Sequence, residues 1–328
     1  MNRGLIMTAE ILVFGSMNVD LVFAVETLPR PGETVLGPGY MAVPGGKGAN
    51  QAVAAARAGV RARMIGCLGD DGFGEMLLKS LMEAGVNTSS VRRTSKPTGC
   101  AAIGVDARGA NQIMVAAGAN SEISADDVDD GLLGPEAILT LQMEVPAEQN
   151  WKLARRAHER GARIILNVAP ATAVPPDILA ITDFLVVNEH EALAVATGMG
   201  MAADNPIAAA RGITGKTHQA SVVTLGADGA FACDDDQAWR VAALLIRPVD
   251  TTAAGDCFVG WLAARLSCGD DLPQALRWAS AAAGQACLAH GAQPSLPALD
   301  TVTAALESIA PASRSQNRDG MARQDFVP

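Results

Sequence analysis

Between Ala137 and Leu225, short apolar runs alternate with segments of helical periodicity. Ala137–Met143 reads as a strand and Ala147–Arg160 as a helix. Arg163–Asn167 and Phe184–Val187 read as strands, Glu189–Ala196 as a helix and Ser221–Leu225 as a strand. That order restricts the fold more than any other feature. Strands joined through helices pair in parallel, and a parallel sheet has to be covered on both faces. Ile11 to Gly15 supplies a first buried strand, and Ala62–Leu68 another. The second lies between helices at Ala49–Ala58 and Gly74–Ala84, whose ends are marked by Gly59 and Gly85. From Ala253 to Ile309 the chain is Ala-rich and almost entirely helical in pattern. The predicted class is α/β, a mainly parallel central sheet sandwiched by helices.

Two stretches break the rhythm. Leu21 to Val43 is punctuated by Pro29, Pro31, Gly32, Gly37, Pro38 and Gly39. Gly99–Asp106 and Gln112–Ala116 flank a turn at Ala107–Asn111. Both read as strands of a small β appendage, a lid built from about residues 21–43 and 99–116. A chain of 328 residues has room for one large domain or two ordinary ones, at about 150 residues each. One unit over residues 10–310 is expected, with 311–328 a polar, patternless tail read as disordered. A core of this size needs no disulfide or metal staple.

Charge narrows the function. Lys plus Arg is 25 and Asp plus Glu 35, a net charge of −10. An acidic chain without a basic cluster argues against nucleic-acid binding as its main work. No apolar run reaches the ~18 residues of a membrane span, and Met1 to Glu10 lacks the apolar core of a signal peptide. Cys67, Cys100, Cys233, Cys257, Cys268 and Cys287 form no C-x-x-C pair and sit in apolar stretches. They read as buried, reduced thiols of a cytoplasmic protein. His158, His190, His218 and His290 are scattered, against a zinc cluster.

Two phosphate motifs are decoys. Gly215-Lys216-Thr217 resembles the end of a P-loop, but Ala210 stands where the earlier Gly belongs and no strand leads into it. Gly37 to Ala42 matches a dinucleotide-binding string, yet opens no helix.

Five segments carry chemistry. Asp250-Thr251-Thr252-Ala253-Ala254-Gly255-Asp256 precedes an apolar helix. Small residues at a helix start let a ligand approach the first-turn N–H groups, which suit a phosphoryl group. Asp256 beside that anion hole can take a proton from an attacking hydroxyl. Equally, Asp250 or Thr252 can simply cap the helix. Gly45-Gly46-Lys47-Gly48-Ala49-Asn50-Gln51-Ala52 is unusually polar for the start of an Ala-rich helix, which favours ligand contact by Lys47 and Asn50 over a solvated turn. Asn18 and Asp20, two apart after the first strand, can bracket a diol, or form an Asx turn. Asn188-Glu189-His190-Glu191 follows a strand and can hold water around Mg²⁺, or provide a helix N-cap. Thr224 to Gly229 runs from a strand into a Gly turn, with a plain hairpin as the alternative.

In this order, and from about Ile11 to Ala310, these segments resemble the ribokinase family of carbohydrate kinases. The resemblance implies ATP-dependent phosphorylation of the 5-hydroxyl of D-ribose, with Asp256 as general base and Ala253, Ala254 and Gly255 as anion hole. It implies sugar contacts from Asn18, Asp20, Gly46, Lys47, Asn50 and Glu144. It implies nucleotide and Mg²⁺ contacts from Asn188, Glu191, Thr224, Gly226 and Gly229. Asp250 and Thr252, with Ala286, Ala289, Gly291 and Ser295, match a loop pair that holds a monovalent cation, K⁺, which orders the anion-hole loop. A homodimer joined through paired lids is also implied.

Trp261 departs from the family pattern, which has a small residue there, and Ser280 stands where His or Asn lies near the adenine. Asn167-Val168-Ala169-Pro170 differs by one residue from the usual turn. Other acceptors in the same family (2-deoxyribose, fructose, a sugar acid, a nucleoside) stay open, although an aromatic content of 4% fits poorly with a nucleoside-base pocket. A non-catalytic sugar-binding protein and a dinucleotide oxidoreductase are the competing classes.

Overall fold

The computed structural model describes residues 10–315. The chain opens with β1 (Ile11–Phe14), β2 (Asn18–Ala24), β3 (Tyr40–Gly45) and α1 (Lys47–Arg57). It continues through β4 (Ala62–Gly69), α2 (Gly72–Glu83), β5 (Asn87–Thr94), β6 (Gly99–Val105) and β7 (Asn111–Ala116). Next come β8 (Ile138–Leu141), α3 (Ala147–Glu159), β9 (Arg163–Asn167), α4 (Pro176–Ala180), β10 (Phe184–Asn188) and α5 (Glu189–Gly198). The last elements are α6 (Pro206–Thr217), β11 (Ala220–Thr224), β12 (Ala230–Cys233), β13 (Ala238–Val241), α7 (Ala254–Ser267), α8 (Leu272–Ala286), α9 (Leu299–Ala305) and β14 (Ser313–Arg314).

The main sheet has ten strands in the order β14-β13-β12-β11-β10-β9-β8-β1-β4-β5. Pairing is parallel from β5 through to β11, and antiparallel only from β11 to β14. Alternation within β1 shows why both faces need helices. Ile11 and Val13 enter one apolar cluster with α1, α2, α7, α8 and α9. Leu12 and Phe14 enter another with α3, α4, α5 and α6. All four side chains are fully buried, as in a parallel sheet covered on both sides.

A second, four-stranded sheet has the order β3-β2-β6-β7. Its strands come from the two Gly/Pro-punctuated stretches that break the α/β rhythm. Register puts Asp20, Val43, Ala101 and Val115 in one row on one face, with Val22, Met41, Ile103 and Ile113 in the next row. The opposite face carries Leu21 and Ala42, which pack onto the main core, and the tilted Phe23–Tyr40 ring pair, 5.6 Å between centroids.

Several expectations need correction. The patternless stretch expected from 311 contains β14, which pairs with Trp239 and Arg240 of β13; residues 316–328, and residues 1–9 at the other end, lie outside the described residues. The thiols are free, but Cys268 is exposed and Cys100 and Cys287 only half-buried. The sequence pattern missed β5, whose Asn87–Thr94 run is polar because the strand lies at the sheet edge. It also missed α6, interrupted by Gly212 and Gly215, and the short β12–β13 hairpin. The P-loop decoy falls at the C-terminal end of α6, the wrong end of a helix for an anion. Trp261 is fully buried, and its ring stacks on Trp278 of α8 at 5.9 Å, so it repacks the α7–α8 contact. Ser280 is buried too, and its hydroxyl donates to the Ala242 carbonyl at 2.8 Å.

Candidate active site

The site forms where α1 and α7 bring their N-termini together. The two helices pack closely at Gly260, where a Cβ would lie 2.6 Å from the Gln51 carbonyl and from the Ala54 Cβ. Gly46 caps α1 with φ 89°, a conformation costly for any residue with a side chain. A Cβ there would also come within 2.6 Å of the Asn18 backbone nitrogen. The turn thus lays the start of α1 directly against the start of β2.

Asp256 stands in the first turn of α7 and is buried. Asn50 Nδ2 donates to its Oδ2 at 2.9 Å, and Gln51 Nε2 donates to its Oδ1 at 3.3 Å. Burial raises its pKa; Lys47 and these two bonds oppose the shift, and Glu144 adds to it. No side chain caps α7, so neither Asp250 nor Thr252 takes that role. Ala253 precedes the helix with φ 60°, a left-handed conformation that costs an L-residue about 1–2 kcal/mol. Ala253, Gly255 and Asp256 line a cleft of about 230 Å³, together with Lys47, Asn188, Glu191 and Thr224. Ala254 begins α7 immediately beside them. The Ala254 N–H donates to the Thr251 carbonyl at 3.2 Å, and with no side-chain cap the first-turn N–H groups that follow it suit an anion at the cleft.

Asn18 and Asp20 lie in β2, two apart on the same face, and not in an Asx turn. Asp20 fits because Gly45 has no side chain; a Cβ there would sit 2.3 Å from Asp20 Oδ2. Burial raises the Asp20 pKa to about 7, helped by Glu144 and Asp256 and opposed by Lys47. Lys47 is held charged, above all by Asp256 and then by Glu144, Glu191 and Asp20, against the cost of burial. Glu144, just beyond β8, accepts from Ser16 Oγ at 2.6 Å and from the Lys47 backbone N–H at 3.1 Å. A carboxylate at the start of α1 is also favoured by the helix dipole. The Asn50 Oδ1 atom is buried and has no protein partner, leaving an acceptor for a ligand hydroxyl.

Asn188 and Glu191 form a capping box: Asn188 Oδ1 accepts the Glu191 N–H at 2.9 Å and Glu191 Oε2 accepts the Asn188 N–H at 2.7 Å. The N-cap alternative is therefore realised, yet both residues also line the cleft. Burial raises the Glu191 pKa. The segment after β11 is a hairpin into β12; Thr224 lines the cleft, whereas Gly226 and Gly229 serve the turn.

Asp250 joins two loops. Its Oδ1 accepts from Thr252 N (2.9 Å) and Thr252 Oγ1 (2.6 Å), and its Oδ2 accepts from Gly291 N at 2.9 Å. The Cys287 carbonyl accepts from Val249 N at 2.8 Å. Residues 250–252 are thereby tied to the chain that leaves α8 after Ala286 and runs through Ala289 to Gly291. Ser295 is buried on the same loop, with its hydroxyl turned back to the Ala292 carbonyl at 2.9 Å. Arg57, at the far end of α1, anchors this loop by donating to the Gln293 and Leu296 carbonyls.

Sequence reasoning missed Ser16, Asn120, Gln142 and Asn167 as site residues and left Gln51 without a role. Asn120 Nδ2 donates to Asn18 Oδ1 at 2.8 Å, and its Oδ1 accepts the Met17 N–H at 2.9 Å. The available signal was weak: single polar residues at the ends of apolar runs.

Residues 8–299 match the pfkB family carbohydrate kinases. The chain is 35% identical over 307 residues to the ribokinase of Schizosaccharomyces pombe, covering 88% of this chain and 95% of that protein. The crystal structure of ribokinase from Thermotoga maritima superposes with a TM-score of 0.86 at 34% identity, over 91% of this chain and 99% of that one. The Arabidopsis thaliana ribokinase complexed with ribose and ATP gives 0.83 at 30% identity, over 92% and 99%.

Proposed function

The chain belongs to the pfkB family of carbohydrate kinases, and from that premise we propose that it transfers the γ-phosphoryl group of ATP to the 5-hydroxyl of D-ribose. One observation carries the reading: a buried carboxylate, Asp256, gripped by two amides at the uncapped start of a helix and facing Lys47. A carboxylate there accepts the hydroxyl proton as the sugar oxygen attacks. The helix start at Ala253, Ala254 and Gly255 offsets the charge on the transferring phosphoryl. Little covalent work falls to the protein; it positions and stabilises.

The sugar is held by Asn18, Asp20, Gly46, Lys47, Asn50 and Glu144. Asp20 and Glu144 accept from hydroxyls, while the Asn50 oxygen that lacks a partner takes another. The nucleotide lies along Asn188, Glu191 and Thr224, with the Gly226–Gly229 turn at its edge. Mg²⁺ bound with ATP supplies charge neutralisation, and the oxygen donors of Asn188 and Glu191 suit its water shell. Asp250 and Thr252, with Ala286, Ala289, Gly291 and Ser295, form an oxygen-rich loop pair that suits K⁺. That ion would brace the turn leading into α7. The small sheet acts as a lid that keeps water from the transfer. The exposed apolar residues on one face of it, Met41, Ile113 and Val115, support pairing with the same face of a second copy.

The test is ADP release from Mg·ATP with D-ribose, with and without K⁺, beside 2-deoxyribose, fructose and adenosine. Ribose-dependent, K⁺-stimulated turnover is expected. Turnover with another sugar alone would replace the substrate, and no turnover with any acceptor would end the kinase reading of this site.

A further inference from the structure

The Asp256 carboxylate is gripped on both oxygens, and the second grip is itself held from behind. Gln51 is fully buried, and both ends of its amide are engaged. Its Nε2 donates to Asp256 Oδ1 at 3.3 Å and to Asn167 Oδ1 at 3.1 Å, and its Oε1 accepts from Gln142 Nε2 at 2.8 Å. The direction of this chain is fixed by one group that can only accept. The Val186 carbonyl takes the Asn167 Nδ2 at 3.1 Å. Asn167 must therefore present its oxygen to Gln51. Gln51 in turn must present its N–H groups to Asn167 and Asp256, and its oxygen to Gln142. Gln142 reaches this position because residue 15 is Gly; a Cβ there would lie 1.9 Å from Gln142 Oε1. Strands β8, β9 and β10 thus act through one amide of α1 on the carboxylate of α7.

We propose that Gln51 is a positioning residue, which fixes the plane of the Asp256 carboxylate, and that Gln142 and Asn167 keep the Gln51 amide from turning over. With Asn50 on one oxygen and Gln51 on the other, the plane is set, and the remaining lone pairs are aimed rather than averaged over rotation. This inference rests on the reading of Asp256 as the proton acceptor. The charged groups around Asp256 are Lys47 on α1, Glu144 beyond β8, Asp20 on β2 and Glu191 on α5. None of them supplies the bond that Gln51 makes.

Gln51→Met keeps the volume and removes the amide. Its kcat should fall by roughly 10–100-fold while KM for sugar and for ATP stays within about threefold. The acid limb of the pH–kcat profile should move to higher pH, because a bond favouring the charged carboxylate is lost. Gln142→Met should cost less, and the double variant should be no slower than Gln51→Met alone, since both act through one amide. Gln51→Glu, with nearly the same shape, serves if the Met variant fails to fold, and should be slowed as well. A folded Gln51 variant at full kcat, a loss with an unmoved acid limb, or multiplying losses in the double variant would each overturn the proposal. Asp256→Asn separates the two levels. If it keeps full kcat, the base reading falls and takes this inference with it. If it is slow while Gln51→Met is fast, the positioning role alone is wrong.

Discussion

At the floor of the cleft, Gln51 is fully buried with both amide atoms bonded; in the small sheet above it, all six residues of β7 are exposed. The floor is drawn from α1, α7, β8, β9 and β10, which the main core already holds in place. The lid rests on the core through Val19, Leu21 and Ala42. Its other face, which carries Asp20, extends into Met41 and Ile113, 63% and 55% exposed. Contiguous apolar surface of this kind suits a partner. On the function proposed above, the two regions would divide the work: chemistry would fall to the buried part, while sugar capture would draw on a part this chain leaves exposed.

Substitutions at four positions can break or sharpen that division. Asp256→Asn should have the largest effect, lowering kcat by roughly 10²–10⁴-fold while leaving the fold intact. A steady-state assay checks it, and unchanged kcat would remove the floor from the chemistry.

Asp20 belongs to both regions, being on a lid strand yet buried beside Glu144. Asp20→Ala should raise KM for sugar by roughly 10–100-fold, with ATP affinity less affected; the reverse pattern would misplace the sugar. The same residue gives a pH test. Its pKa is raised to about 7 in the folded chain, from 3.8. Its contribution to stability is therefore present below the unfolded value and lost as pH rises toward 7. Asp20→Asn should accordingly raise Tm more at pH 8 than at pH 5 in the absence of sugar. Equal gains at both would show that Asp20 titrates normally.

Ile113→Asp addresses the open face alone. It should shift the protein toward monomer in light scattering and raise KM for sugar by about three- to tenfold, with kcat little changed. An unaltered assembly would exclude this face from the dimer. The smallest change is expected at Ala253, held at φ 60°. Ala253→Gly should stabilise the fold by at most about 1 kcal/mol in denaturant melts, because the strain at that position is relieved. A loss of stability would mean that the strain is absent.

The same division governed what the sequence disclosed. The parallel sheet was legible because buried strands are apolar throughout and helices follow them, as at Arg163–Asn167. The lid was legible as an interruption, from its Pro and Gly residues. Asn18, Asp20, Lys47, Asn50 and Asp256 stood out as polar residues in Gly-rich or Ala-rich surroundings. The polar relay behind Asp256 did not. Gln142 and Asn167 end ordinary apolar strands, and nothing local distinguishes a glutamine bonded across three strands from one facing water. Asn188 and Glu191 show the opposite difficulty, since a capping box and a cleft contact call for the same residues. Edge elements such as β5 escaped because their half-exposed residues follow no apolar pattern.

Asn120 stands where the lid returns to the main body. It holds the Met17 backbone and the Asn18 side-chain oxygen at once. A Cβ on Gly99, the first residue of β6, would strike its amide at 2.2 Å. One amide therefore fastens the start of β2 to the chain that leaves β7, and if Asn18 holds the sugar as proposed, any tilt of the small sheet would carry that contact with it.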